Sequence, residues 1–111
     1  MPLKTEERTG KPAVAEIVES LSEAGYDNIL VLTPEAAADV TTEKRMELIS
    51  TIRANDVRSI RGLARTVDRK ENVVHEDLQI LFRKGVVDFE EEGNRKIPVI
   101  PHDKILVEPI L

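Results

Sequence analysis

The apolar residues of this chain recur first with a helical period, then with an alternating one. Within residues 13–24, Val14, Ile17, Val18 and Leu21 are spaced three and four apart, and Gly25 follows as a C-cap. Residues 28–32 (NILVL) form a short apolar run of β character. Thr33-Pro34-Glu35 then reads as a helix start, with a threonine N-cap and proline in the first helical position. Thr41 or Thr42 caps a longer helix whose face is marked by Met46, Ile49 and Ile52, is broadened by Leu48, and ends near Asn55. Ser59 caps a short helix over residues 60–67, with Ile60, Leu63, Ala64 and Val67 at i, i+3, i+4 and i+7. After a turn at 68–71, a helix over 72–84 is expected to turn Val73, Val74, Leu78, Leu81 and Phe82 inward and to stop at Gly85.

Beyond Gly85 the period changes. Residues 86–90 and 97–100 flank a polar turn containing Gly93-Asn94, which predicts a β-hairpin with a charged tip. Residues 104–108 read as one more strand, although Pro98, Pro101 and Pro109 keep this region out of the middle of a sheet. The pattern therefore predicts a mainly α fold with a small β-hairpin. Three short helices within 45 residues have the scale of a helix-turn-helix, and the hairpin would be its wing. Residues 1–12, with Pro2, Gly10 and Pro12, read as a loosely held arm, 13–40 as a helix and strand appendage, and 41–111 as the winged helix-turn-helix domain.

Composition narrows the reading. There is no cysteine among the 111 residues, so neither disulfides nor thiolate metal sites are available. Aromatics are Tyr26, Phe82 and Phe89 alone, so the core rests on aliphatic side chains, at about 25 cal/mol per Å² removed from water. No apolar run approaches the ~20 residues of a membrane span, and the N-terminus lacks the apolar stretch of a secretory signal, so a cytoplasmic location is expected. The net charge of −5 argues at first against a nucleic-acid partner. Its distribution reverses that view. Residues 1–40 hold three basic against eight acidic side chains, whereas 41–85 hold ten basic against seven acidic. A basic surface joined to an acidic appendage fits a DNA reader, and chance scatter of solvated charges accounts for the charge pattern about equally well.

The segment SIRGLARTVDRKENVVHEDLQILFRKGVVDFEEEGNRKIPVI resembles the winged-helix part of MarR-like and related archaeal-type transcriptional regulators. In those proteins a pattern SIxELAxxxxRxxxxVxxDLxxLxxxGLV precedes a wing hairpin. The run TTEKRMELISTIRANDVRSIRGLAR and the tail KIPVIPHDKILVEPI extend the likeness to small archaeal and bacterial winged-helix regulators, over about residues 30–111. The resemblance implies binding of double-stranded DNA, with the second helix laid in the major groove and the first bracing it across the backbone.

On that resemblance, Leu63 and Ala64 are packing positions of the bracing helix, and Val74, Leu78 and Leu81 of the recognition helix. Its outward candidates are Arg69, Lys70, Asn72, His75, Glu76 and Gln79: amides for adenine edges, Arg69 or Lys70 for guanine edges or phosphates. Arg58, Arg61 and Arg65 suit phosphate contacts that orient without reading sequence. At the wing tip Asn94, Arg95 and Lys96 are candidates for the minor groove or phosphates, against the departure of Glu90, Glu91 and Glu92 beside them. His75 and His102 lack the ligand spacing of a zinc site, and there is no glycine-rich phosphate loop or activated nucleophile. A non-enzyme without cofactor is therefore expected.

The amphipathic N-terminal helix and the apolar end Ile105, Leu106, Val107, Ile110 and Leu111 either close the domain's own core or, as the leading expectation, form a homodimer interface matching a palindromic site. The leading expectation is a sequence-specific regulator acting as a repressor. The competing one is a winged helix used as a protein-interaction module, or an antitoxin-like partner protein, in which the glutamate-rich wing faces a protein.

Overall fold

A computed structural model describes residues 14–108, in the order α1 (Val14–Glu23), β1 (Ile29–Leu32), α2 (Pro34–Val40), α3 (Glu43–Ala54), α4 (Ile60–Val67), α5 (Glu71–Arg83), β2 (Asp88–Glu92), β3 (Arg95–Val99) and β4 (Lys104–Val107). The proposed arm at 1–12 and the terminal Ile110 and Leu111 lie outside the described residues. The fold is mainly α with a small hairpin, as the residue pattern predicts.

Local chemistry sets most boundaries. Thr33, Thr42 and Ser59 are extended N-caps whose hydroxyls accept from the N–H groups of Ala36, Arg45 and Gly62. Each satisfies one of the donors that a helix start leaves free, worth about 1 kcal/mol. Helix α1 ends as Gly25 takes φ +99°, and Gly85 closes α5 at φ +82°, conformations that favour glycine. Between β2 and β3 the turn has two residues, Gly93 (φ +63°) and Asn94, so both strands reach further toward the tip than their apolar runs suggest. Val86 and Val87 precede the hairpin as buried core residues rather than strand.

The core gathers Leu48 and Ile49 of α3, Leu63 and Ala64 of α4, Val74, Leu78 and Leu81 of α5, and Val86 and Val87. Full burial of each leucine contributes about 1.5–3 kcal/mol. Leu32, Ala37 and Val40 belong to the same cluster. Residues 29–40 are thus built into the winged-helix core rather than appended to it.

Met46, expected on the apolar face of α3, is 42% exposed, and two residues expected inward on α5 are not buried either. Val73 is 40% exposed and Phe82 46% exposed. The core-facing stripe of α5 is the narrower one through Val74, Leu78 and Leu81, spaced four and three apart, and the flanking positions fall outside it. Phe82 instead sets its ring against Phe89 of the hairpin, centroids 5.6 Å apart, which joins α5 to the wing.

The last strand returns to the beginning of the fold. β4 pairs in parallel with β1, Ile29 opposite Lys104 through Leu32 opposite Val107. Asp103 N–H donates to the Asn28 carbonyl (3.1 Å) and Glu108 N–H to that of Leu32 (2.8 Å). Lys104 Nζ stands 4.8 Å from the Tyr26 ring centroid. His102 Nε2 lies 2.8 Å from the Gly85 carbonyl, and Arg53 donates to the His102 carbonyl (3.1 Å). These contacts hold the C-terminal segment across the domain. In α1, Ile17, Val18 and Leu21 are half-buried. Among the described residues no helix is long and apolar enough to cross a membrane.

Candidate nucleic-acid interface

Helix α4 is short and sharply two-sided. Leu63 and Ala64 are buried, while Arg61 and Arg65, four apart, are exposed on the opposite face. The chain leaves α4 through Asp68 in the left-handed region (φ +57°, ψ +51°), whose N–H returns to the Ala64 and Arg65 carbonyls. Asp tolerates this conformation better than most residues, and it redirects the chain into α5. Lys70 occupies the N-cap position of α5 and makes no side-chain cap hydrogen bond, in contrast to the caps of α2, α3 and α4.

Arg69, next to it, does not face outward. Its side chain is about nine-tenths buried, with Nη1 3.0 Å from Asp77 Oδ2 and Nη2 3.5 Å from Glu47 Oε1. Nη2 also donates to the Lys44 carbonyl at 3.1 Å. Asp77 Oδ1 accepts from Arg45 Nε at 3.0 Å, and Arg45 Nη1 donates to the Asp39 carbonyl at 2.7 Å. Lys84 Nζ reaches Asp39 Oδ2 at 3.3 Å. This network joins α2, α3, the helix-turn-helix turn and α5. The expectation that Arg69 contacts a base or phosphate is therefore corrected: Asp77 lies on the flank of α5 that faces α3 and draws the guanidinium inward. Arg69 Nε is buried without an acceptor.

The remaining arginines among the sequence candidates come together on the outer side. Arg58, Arg61, Arg65, Glu71, His75, Asn94, Arg95 and Lys96 line one open groove of about 1080 Å³ between α4, the start of α5 and the wing tip. Loose ion pairs hold two of them: Arg61 Nε is 3.4 Å from Glu71, and Arg58 Nε is 3.5 Å from Asp56. All four side chains are more than half exposed. Pairs of this kind are worth about 0–1 kcal/mol and exchange readily for other anions. Among the described residues Arg65, Lys70, Arg95 and Lys96 form no ion pair.

Lys70, Asn72 and Gln79 stand outside that groove. Lys70 and Asn72 are exposed and Gln79 is half-buried. Asn72, Glu76, Gln79 and Arg83 succeed one another at four, three and four residues, forming one outward row on α5. Arg83 was not among the sequence candidates; its helical spacing from Gln79 is the signal that finds it. On the hairpin, Glu91 is opposite Lys96 and Glu92 opposite Arg95, so the wing's cations stand beside an acidic strand. Among the described residues no cluster of three or more His, Cys, Asp or Glu is arranged to hold a metal ion.

A model of the HVO_A0114 family matches residues 40–107, more than half of the sequence. The chain belongs to the HVO_A0114 family. The matched stretch in this HVO_A0114 member runs from the end of α2 through β4 and so contains α3, α4, α5 and the wing. Comparison with curated proteins found no match. Among solved structures, the chain is similar to the crystal structure of the predicted DNA-binding transcriptional regulator from E. coli. The TM-score is 0.57 and the identity 14%, with 81% of this chain and 85% of that one covered. At that identity the likeness is one of fold, and it supports the winged-helix architecture for this HVO_A0114 chain.

Proposed function

We propose that this protein is a sequence-specific double-stranded DNA-binding transcriptional regulator of MarR-like type, without catalytic activity. In this reading it acts as a homodimer and represses by covering its site. The observation that carries the reading is the convergence of Arg58, Arg61, Arg65, Asn94, Arg95 and Lys96 around one open groove in a chain of net charge −5. Chance placement of solvated charges would scatter them, whereas a phosphate backbone running along α4 to the wing needs them on one side. Beside the groove the outward row of α5 presents two amides, a carboxylate and an arginine, the groups that read base edges in the major groove. The similarity in fold to a protein described as a predicted DNA-binding transcriptional regulator supports the same reading.

Dimerisation is supported by the half-buried apolar residues of α1 and by Val107, which is 46% exposed on β4. A two-fold axis would present two copies of α5 to half-sites about one helical turn apart. Light scattering at tens of micromolar is expected to give twice the chain mass; a monomer would remove the dimer from the proposal.

The exposed Glu90, Glu91 and Glu92 favour the second reading, a module that binds a protein partner through its wing. Selection from a randomised duplex pool at two salt concentrations separates the two. The regulator reading expects a palindromic motif, weakened steeply by salt and bound less tightly, with the same base preferences, by an Arg61→Ala, Arg65→Ala double variant. No enrichment even at low salt would favour the protein-interaction module.

A further inference from the structure

Helix α5 carries three carboxylates, and the structure treats one of them differently. Glu71 pairs with Arg61, and Asp77 is held between Arg45 and Arg69. Glu76 is exposed and, among the described residues, forms no ion pair or side-chain hydrogen bond. Its neighbours at three and four residues in either direction are Asn72, Val73, Gln79 and Ile80, so no cation on the same helix can neutralise it. It stands in the middle of the outward row, between Asn72 and Gln79.

A bare carboxylate at the centre of a surface that meets DNA loses affinity for any duplex, through repulsion from phosphates and loss of its water. That loss is offset only where the groove supplies a hydrogen-bond donor. Guanine presents acceptors in the major groove, thymine an acceptor and a methyl group, and adenine a donor with an acceptor beside it on the same base. Cytosine presents the N4 amino donor alone. We propose that Glu76 is a specificity-determining residue that accepts from a cytosine N4 amino group in each half-site and rejects other bases at that position. The inference rests on the DNA-binding reading and adds to it one base identity at one place. Specificity here comes as much from repulsion of wrong sequences as from attraction to the right one.

The experiment selects from a randomised duplex pool with the full-length parent and with Glu76→Gln, an exposed substitution whose folding is checked by circular dichroism. The parent is expected to enrich a motif with cytosine at one position of each half-site. In Glu76→Gln that position moves from cytosine toward adenine, which glutamine can bind through N6 and N7, and discrimination for cytosine falls by about 5- to 150-fold. Affinity of the variant for unselected duplex rises, and the other motif positions are unchanged. The same motif with the same preferences in both proteins would overturn the inference while leaving DNA binding intact. A parent that enriches nothing at low salt would instead overturn the DNA-binding reading on which the inference rests.

Discussion

Two sets of arginines, on opposite sides of the helix-turn-helix, serve different physical ends. On the inner side Arg45 and Arg69 are 19% and 10% exposed and share Asp77 at 3.0 Å each. On the outer side Arg58 and Arg61 are 62% and 74% exposed, with partners at 3.4–3.5 Å. Charges shielded from water interact strongly but need every partner, because a buried charge left alone is costly. Charges in water interact weakly with one another, so they remain free to meet a polyanion. Net charge therefore says little about this chain's partner; what matters is which cations are already committed inside the fold.

The largest effect should come from breaking the inner set. Asp77→Ala leaves Arg69 nearly buried with Glu47 as its sole carboxylate, beside the Lys44 carbonyl, and is expected to cost about 3 kcal/mol or more, read by urea unfolding. If the penalty is that of an unpaired charge, an Arg69→Met, Asp77→Leu double variant should be more stable than Asp77→Ala. A double variant equally destabilised would mean that the network acts through packing, not charge.

The outer set should respond in the opposite way. Arg61→Ala with Arg65→Ala is expected to leave unfolding free energy within about 0.5 kcal/mol for each substitution. It should reduce the slope of log affinity against log salt by about 2, if each arginine meets one phosphate. A stability loss as large as that of Asp77→Ala would erase the distinction between the two sides. A smaller change is expected at the wing, where Glu91→Gln with Glu92→Gln removes the carboxylates opposite Lys96 and Arg95. Duplex affinity should then rise by a few-fold, of the order expected from surface electrostatics. The smallest effect is expected for Arg58→Ala, since its pair with Asp56 is almost wholly in water: about 0.5 kcal/mol or less in stability.

The helices of the helix-turn-helix are legible in the residue pattern because their signals are local. Ser59 stands three residues from the N–H that it caps, and Leu63 and Ala64 repeat within a turn or two of Ile60 and Val67. The outer candidates Arg58, Arg61 and Arg65 follow from the same periodicity, since whatever lies opposite a buried stripe is exposed. Val73 and Phe82 fall outside the expected inner face for a related reason: they border the stripe, and burial at a border depends on how closely a neighbouring element approaches.

Residue types and spacing alone thus determined the order of elements, the caps, the hairpin and the arginine face of α4. The tertiary structure decided the rest. Leu30 meets Ile105 across 75 residues, a pairing that no short-range pattern encodes. Arg69 turns inward because α3, 25 residues earlier, brings the Lys44 carbonyl and Glu47 to the same side as Asp77. A cap or helical stripe is settled by contacts within about four residues, whereas the commitment of a charge depends on partners that only the folded chain assembles.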